Sequence, residues 1–196
     1  MKATKSNQFV HYAVLLAGGL SSRMGNDKAL LKRGPETLLD YGIRQLELSR
    51  AANVLVSRNE PGYLNDRFPA FGPMSGIHAA LMELPDLDLQ FLTILPVDMP
   101  LITHKQITLL QMTAEQKRCP VCFDTSVLPA VIPVTQEIKQ YCQSVVEGKL
   151  SAAFWRFMKN FNGITIKCDD RGLLVNTNTP IEWQEFEQTY RGHYGT

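Results

Sequence analysis

One stretch near the start of the chain carries residues whose types and spacing suit phosphate binding. It follows an apolar run, Tyr12 to Ala17, and reads Gly-Gly-Leu-Ser-Ser-Arg-Met-Gly-Asn-Asp-Lys from Gly18 to Lys28. The two glycines allow a tight turn whose backbone N–H groups are open to a ligand. Arg23 and Lys28 add two positive charges. A turn of this kind after a buried strand predicts a site for an anionic, phosphate-bearing ligand.

Asp98 is the second candidate group. It follows the apolar run from Phe91 to Leu95, within Pro96-Val-Asp-Met-Pro100. A carboxylate at the end of a buried strand emerges at the edge of the sheet. Magnesium is held by few carboxylates together with substrate phosphates, so one aspartate near a phosphate loop is sufficient. The alternative is that Asp98 caps a turn or the next helix.

Neither standard phosphate-loop pattern fits the glycine-containing stretch. A P-loop requires Gly-Lys-Ser/Thr, whereas Gly25 is followed by Asn26. The dinucleotide fingerprint G-x-G-x-x-G is not formed by Gly18, Gly19 and Gly25. The stretch is therefore either another kind of phosphate loop or a glycine turn in an ordinary α/β core.

The stretch resembles the L-A-G-G-x-S-x-R-M-G-x-D-K signature of nucleotidyltransferases that attach a nucleoside monophosphate to a phosphorylated acceptor. Within that group it is most similar to the molybdenum cofactor guanylyltransferases of the MobA-like NTP transferase family. Two further segments resemble family motifs: Gly72-Pro-Met-Ser-Gly76 is similar to Gly-Pro-x-x-Gly, and Asn176-Thr-Asn-Thr-Pro180 to Asn-x-Asn-Thr-Pro. The resemblance extends from about Ala13 to Glu187.

The resemblance implies transfer of GMP from GTP to the terminal phosphate of molybdopterin, with release of pyrophosphate and with Mg²⁺ as cofactor. It implies catalytic roles for Arg23, Lys28 and Asp98, with Asp98 also holding the metal. The residues that it implies for nucleotide binding are Leu16, Ala17, Gly18, Gly19, Lys28, Ser57, Asp66, Gly72 and Asp98. The resemblance implies that Asn176 and Asn178 bind the acceptor. It also implies a molybdoenzyme or a cofactor-delivery protein as the partner.

The chain departs from the family pattern at two places. The family usually has another strand before its base-recognising aspartate, but the connection between Asn59 and Gly72 is several residues shorter here. The match of Asp66 to that aspartate, and with it the preference for guanine, depends on this alignment. The family also commonly has a polar residue where Leu128 precedes Pro129, which bears on acceptor binding.

Other functions remain open from the residues alone. One is a cytidylyltransferase, or a sugar-phosphate or alditol-phosphate nucleotidyltransferase, on the same fold. Another is a GTP-binding partner in cofactor delivery without catalysis. Asn178 also has two readings, a ligand-binding residue or a turn residue before a helix. We expect Asn176 and Asn178, on an extended segment, to face different ways.

The order of elements predicts an α/β domain with a mostly parallel sheet. With the resemblance, this indicates the Rossmann-like three-layer α/β/α nucleotidyltransferase fold, as a single domain over 1–196 with a loose arm at 1–11. In the first half we expect strands at Tyr12–Ala17, Asn53–Ser57 and Phe91–Leu95, and helices at Thr37–Arg50, Gly72–Glu83 and Thr103–Gln116, with Thr103 as a cap. Parallel strands would then bring Gly18–Gly19, Ser57–Asn59 and Asp98 to one edge.

The second half is less regular. We expect a hairpin of Val121–Phe123 and Ala130–Val134 around 124–129, helices at Gln136–Glu147 and Ser151–Phe161, and short strands at Ile164–Lys167 and Leu173–Val175. A capping box, Thr179-Pro-Ile-Glu182, predicts a terminal helix that packs Trp183, Phe186 and Tyr190.

Composition narrows the class of protein. A net charge of +1 argues against general binding to nucleic acid or to a membrane surface. No apolar run approaches the ~20 residues of a membrane span, and the N-terminus lacks a signal peptide, so we expect a cytoplasmic protein. Cys119 and Cys122 form C-x-x-C, but no further ligands stand at zinc spacing. We expect buried or half-buried thiols.

Overall fold

The computed structural model describes residues 9–18, 27–68, 70–85 and 88–194. The strands are β1 (Val10–Leu16), β2 (Lys32–Arg33), β3 (Glu36–Thr37), β4 (Ala51–Ser57), β5 (Gln90–Pro96), β6 (Val121–Phe123), β7 (Ser126–Pro133) and β8 (Ile164–Ile166). The helices are α1 (Leu38–Glu47), α2 (Pro73–Glu83), α3 (His104–Lys117), α4 (Gln136–Val146), α5 (Phe154–Asn160) and α6 (Pro180–Tyr194). Two 3₁₀ helices span Lys28–Leu30 and Arg171–Leu174.

The main sheet has six strands in the order β4-β1-β5-β7-β6-β8. β1 pairs in parallel with both β4 and β5, and β6 pairs in parallel with β8, whereas β7 is antiparallel to β5 and to β6. The mostly parallel sheet is thus confirmed. β2 and β3 form a separate antiparallel pair. Since β4, β1 and β5 are parallel and adjacent, their carboxyl ends meet at one edge of the sheet.

Both faces of the sheet are buried, which explains why β1 shows no polar alternation. Ala13 and Leu15 point to a cluster with residues of α1 and α3. Val14 points the opposite way, to a cluster with residues of α2, α4 and α5. Successive residues of a strand face opposite sides, so the sheet lies between two helical layers. The three-layer α/β/α architecture is therefore confirmed.

Gly76 lets α2 approach the ends of β1 and β4. A Cβ at this position would lie 2.5 Å from Ser57 Oγ and 2.8 Å from Leu16 Cδ2. Ser57 is buried and its hydroxyl donates to Asp66, so the end of β4 has little room to move aside.

We therefore expect Gly76→Ala to lower the free energy of unfolding by about 1–3 kcal/mol, as overpacking does in a filled core. This holds although alanine is intrinsically the better helix former. Urea unfolding followed by circular dichroism measures the change. An unfolding midpoint equal to that of the wild type would show that α2 does not approach the sheet this closely.

The terminal helix is confirmed with its capping box. The Glu182 N–H donates to Thr179 Oγ1 at 3.2 Å, and Glu182 Oε2 accepts from the Thr179 N–H at 2.8 Å. Trp183 and Phe186 pack with Leu38 of α1, and Tyr190 lies against the same cluster. The helix is thereby anchored beside the carboxyl edge of the sheet.

Several boundaries differ from the sequence-based predictions. β1 begins at Val10, inside the predicted arm, of which residues 1–8 lie outside the described part. β7 begins at Ser126, so the hairpin turns at Asp124 and Thr125 and not over 124–129. The predicted strand at Leu173–Val175 is wrong, because Leu173 lies in a 3₁₀ helix. Thr103 precedes α3, but its hydroxyl bonds the Gln106 side chain and does not cap the helix backbone.

The four cysteines are thiols, three of them buried and Cys119 half-buried, as expected. Burial raises the pKa of Cys122 to about 11 and that of Cys142 to about 12, which makes both poor nucleophiles. The described residues include no cluster of three or more His, Cys, Asp or Glu side chains able to hold a metal. They also include no helix that is long and apolar enough to cross a membrane.

Candidate functional site

A cavity of about 460 Å³ opens at the carboxyl edge of β1 and β5. It combines the ends of these strands with the start of β7, the start of α2 and the segment before α6. The predicted site residues that line it are Leu16, Ala17, Gly18, Lys28, Gly72, Asp98, Asn176 and Asn178. The other lining residues are Asp27, Pro73, Pro96, Val97, Ser126, Val127 and Leu128.

Lys28 and Asp98 face each other in this cavity. Lys28 Nζ lies 3.4 Å from Asp98 Oδ2, and each side chain is 18% exposed. Asp98 lies two residues after the end of β5, and Lys28 begins a 3₁₀ helix whose N-terminus is capped by Asp27, which accepts from the Ala29 N–H at 3.0 Å. The two described ends of the predicted phosphate loop, Gly18 and Lys28, thus line the same cavity as the strand-end aspartate, as the sequence predicts.

The Asp98 carboxylate is only partly satisfied. Its Oδ1 is buried and has no hydrogen-bond partner within the described part of the chain. Burial raises the pKa of Asp98 above its ordinary value, and the charge of Lys28 opposes this shift. A buried carboxylate oxygen without a donor is a strong acceptor that a cation can satisfy.

Asn176 and Asn178 both line the cavity, so the expectation that they face different ways is wrong. The reason is that Val175 already has extended backbone, and side chains two positions apart on an extended segment lie on the same face, since only neighbouring residues alternate. The segment is tied to the end of β5 by the Thr177 N–H, which donates to the Asp98 carbonyl at 2.9 Å. Asn178 Oδ1 accepts from Lys28 Nζ at 2.8 Å, whereas Asn176 Oδ1 is buried without a partner in the described chain.

Ser57 and Asp66 lie beside the cavity and are not part of its lining. Ser57 Oγ donates to Asp66 Oδ1 at 3.2 Å, and the Asp66 N–H donates to Asn59 Oδ1 at 2.8 Å. Within the described parts of the loop after β4, the only pairing is a single bridge of Leu64 with Ser57. Asp66 is therefore held next to the end of β4 by side chains and not by an added strand.

Gly72 occupies the N-cap of α2 with φ +58°, a backbone conformation that favours glycine. Pro73 follows in the first turn, where its missing N–H costs no hydrogen bond. The helix start therefore presents bare backbone to the cavity.

Sequence reasoning missed an ion pair that fixes the end of the phosphate loop. The Arg58 guanidinium, 5% exposed, pairs with Asp27 and also with Glu60, whose oxygen lies 2.8 Å away. The Asp27 and Arg58 positions are 31 residues apart, and only their opposite charges connect them in the sequence. Ser126 and Val127 were also missed, because the predicted strand started at Ala130. Gly19 and Arg23 lie outside the described residues.

Comparison with known proteins identifies the family. A model described as the MobA-like NTP transferase domain matches residues 13–141. The chain is 33% identical over 175 residues to a molybdenum cofactor guanylyltransferase of Xanthomonas euvesicatoria pv. vesicatoria, covering 87% of this chain and 90% of that protein. It is 26% identical over 188 residues to one of Shewanella pealeana, covering 88% and 92%.

Solved structures show the same fold. A nucleotidyl transferase from a Methanothermobacter species aligns with a TM-score of 0.69 at 12% identity, covering 92% of this chain and 97% of that one. A 2-C-methyl-D-erythritol 4-phosphate cytidylyltransferase from Thermus thermophilus aligns with a TM-score of 0.64 at 15% identity, covering 93% and 100%. With the family match over most of the sequence, this chain belongs to the MobA-like NTP transferase family.

Proposed function

We propose that this protein is a molybdenum cofactor guanylyltransferase that transfers GMP from GTP to the terminal phosphate of molybdopterin. The observation that carries the proposal is the Lys28 ammonium 3.4 Å from the Asp98 carboxylate, in the cavity at the carboxyl edge of the sheet. A cation to neutralise phosphate charge and a strand-end carboxylate to hold a metal ion, side by side in one cavity, supply what nucleotidyl transfer requires. The similarity to two guanylyltransferases indicates GTP and molybdopterin as the substrates.

The reaction that follows is an in-line displacement. An oxygen of the molybdopterin phosphate forms a bond to the α-phosphorus of GTP, the bond from that phosphorus to the bridging oxygen breaks, and pyrophosphate leaves. Such a transfer depends on positioning and on charge neutralisation, so no protein nucleophile is needed. We assign to Lys28 the stabilisation of the charge that develops on the leaving pyrophosphate. Arg23 is proposed for the same task.

The residues of the cavity suit a magnesium ion. Asp98 and Asn176 both line the cavity, and the Oδ1 atom of each is buried without a hydrogen-bond partner in the described chain. Asn178 Oδ1 already accepts from Lys28, so Asn176 is the better placed of the two amides. Magnesium takes oxygen ligands and keeps few from the protein, completing its shell with phosphates and water. When bound, it polarises phosphoryl oxygens as a Lewis acid.

Acceptor binding by Asn176 and Asn178 stays a prediction, as do the cytoplasmic location and a molybdoenzyme or delivery protein that receives the product.

The start of β7 adds an apolar wall of Val127 and Leu128 to the cavity. Leu128, which the sequence marks as a departure from the family, is 8% exposed and packs in the core beside α2 and α4.

The proposed function predicts a specific requirement for substrates. Pyrophosphate release is expected with GTP, molybdopterin and Mg²⁺ together, and to be about 100-fold slower with CTP, a discrimination that hydrogen-bonding sites commonly reach. A coupled assay for pyrophosphate measures the rate with each component omitted in turn. Faster release with CTP, or with a sugar phosphate as acceptor, would assign the protein to a different transferase activity. Binding of GTP without any release would indicate a non-catalytic partner.

A further inference from the structure

The segment before α6 is fixed at both ends beside the reacting groups. At one end the buried Thr177 donates its N–H to the Asp98 carbonyl at 2.9 Å. At the other end Glu182 Oε2 accepts two backbone N–H bonds, from Asn178 at 2.6 Å and from Thr179 at 2.8 Å. An ordinary capping box uses its carboxylate for the N-cap residue alone. Here the same oxygen also holds the residue before it.

That additional residue contacts the proposed catalytic lysine. The Asn178 side chain accepts from Lys28 Nζ at 2.8 Å, and Lys28 Nζ lies 3.4 Å from Asp98 Oδ2. The backbone of Asn178 is therefore held by Glu182, and its side chain holds Lys28. A continuous set of contacts runs from the cap of α6 to the carboxylate at the end of β5.

We infer that Glu182 is a positioning residue for the nucleotidyl transfer, because it holds Asn178 where the Asn178 amide fixes the Lys28 ammonium. The inference rests on the proposed function. Lysine has a flexible four-carbon stem, so a side chain that is ordered before the nucleotide arrives loses less entropy on binding. The role is geometric, since the negative charge of Glu182 would by itself repel a triphosphate.

The charge state of Glu182 agrees with this geometry. The backbone N–H bonds from Asn178 and Thr179 hold the pKa of Glu182 below its ordinary value, with a smaller contribution from the charge of Lys28. The carboxylate is thus ionised at neutral pH and accepts both bonds. A glutamine at this position keeps an oxygen that can accept them, whereas an alanine does not.

The test compares Glu182→Ala with Glu182→Gln and with Thr179→Ala. Thr179→Ala is the matched control, since it removes the Thr179 hydroxyl from the same capping box but leaves the Glu182 bond to Asn178 in place. Both alanine variants are expected to lower Tm by similar amounts. Only Glu182→Ala is expected to raise the Kd for GTP and to lower kcat/KM, each about 10-fold. Glu182→Gln is expected to stay within about threefold of the wild type.

Repeating Glu182→Ala in a Lys28→Ala background identifies the route of the effect. If Glu182 acts through Lys28, the substitution costs no further affinity for GTP in that background. An equal loss in both backgrounds, or equal losses for Glu182→Ala and Thr179→Ala, would overturn the inference. Should Glu182→Ala fail to fold, Asn178→Ala breaks the same chain of contacts and takes its place in the cycle.

The measurements separate this inference from the proposed function. Calorimetric titration with GTP reports on the Lys28 position even if the wild type releases no pyrophosphate. A wild type that binds GTP but does not turn over would contradict the proposed function alone. A normal turnover in the Glu182→Ala variant would contradict the positioning role alone.

Discussion

Replacing Asp98 with asparagine is expected to reduce kcat about 10³-fold while the protein remains folded. The substitution keeps the shape of the side chain and removes the negative charge of the carboxylate, whose Oδ1 has no donor among the residues that the structure describes. Loss of a preorganised charge at a phosphoryl site lowers the rate by several powers of ten. Each factor of ten corresponds to about 1.36 kcal/mol of activation barrier. Pyrophosphate release at saturating GTP and magnesium measures the effect.

Although Asp98→Asn is expected to lower the rate, it is expected to preserve or raise the stability of the fold. Burial raises the pKa of Asp98, so the folded state favours the protonated form more than the unfolded chain does. Ionised Asp98 therefore lowers the free energy of unfolding at neutral pH, and stability from this group is regained as the pH falls through its raised pKa. Asparagine resembles the protonated form. We accordingly expect Asp98→Asn to unfold at the wild-type temperature or above it.

Activity follows the deprotonated form of Asp98. The acid limb of the kcat/KM profile is expected above the ordinary aspartate range, because this limb reports the pKa in the free enzyme. Asp88, an exposed aspartate just before the N-terminal end of β5, provides the matched control. Asp88→Asn should change neither the rate of pyrophosphate release nor the pH profile of kcat/KM. If Asp98→Asn retains a rate within tenfold of the wild type, Asp98 does not serve the transfer.

The first half of the fold follows from the sequence because its signals are strong and local. The apolar runs that became β1, β4 and β5 are short and bounded by polar or Gly/Pro segments, and helices on both faces of the sheet bury most of β1 and β5 and half-bury β4. Parallel strands joined by helices have their carboxyl ends at one edge. This rule predicts that Lys28 lies near Asp98, although 70 residues separate them.

The second half depends on contacts that local patterns do not encode. Asn176 and Asn178 reach the cavity because the Thr177 N–H donates to the Asp98 carbonyl, which ties their segment to the end of β5. β7 includes Ser126 because it pairs with Phe123 across a tight turn. A sequence pattern reports propensity and burial, but it does not show that Thr177 meets Asp98, 79 residues away, or which residues close the turn between β6 and β7.

The buried Arg58 shows the same limit for charged groups. Its position after β4 marks it as a residue at the edge of the sheet, but its side chain turns to Asp27 and Glu60. A buried guanidinium requires such partners, because an unpaired charge is costly away from water. The choice of Asp27 among the chain's acidic residues follows from the tertiary fold alone.

Replacing Lys28 with alanine is expected to reduce kcat/KM for GTP about 100-fold. The ammonium lies within hydrogen-bond reach of Asn178 and close to Asp98, at the cavity where the proposed triphosphate binds. Removing it takes away charge neutralisation that is stronger in the transition state than in the ground state, so kcat should fall as well as the affinity for GTP. Steady-state rates across GTP concentrations separate the two effects.

The same substitution should move the pH profile. The charge of Lys28 opposes the effect of burial on the pKa of Asp98, so its removal raises that pKa further. The acid limb of kcat/KM is then expected at higher pH in Lys28→Ala than in the wild type. Lys28→Arg keeps the charge but replaces a compact ammonium with a planar guanidinium, so we expect a rate between those of Lys28→Ala and the wild type.

Lys32→Ala provides the matched control, since Lys32 is an exposed lysine four residues further along the chain. It removes the same net charge and should leave both the rate and the pH profile unchanged. Equal losses in Lys28→Ala and Lys32→Ala would attribute the effect to general charge. A Lys28→Ala enzyme with an unmoved acid limb would separate Lys28 from Asp98, and the pair would then no longer support the transferase assignment.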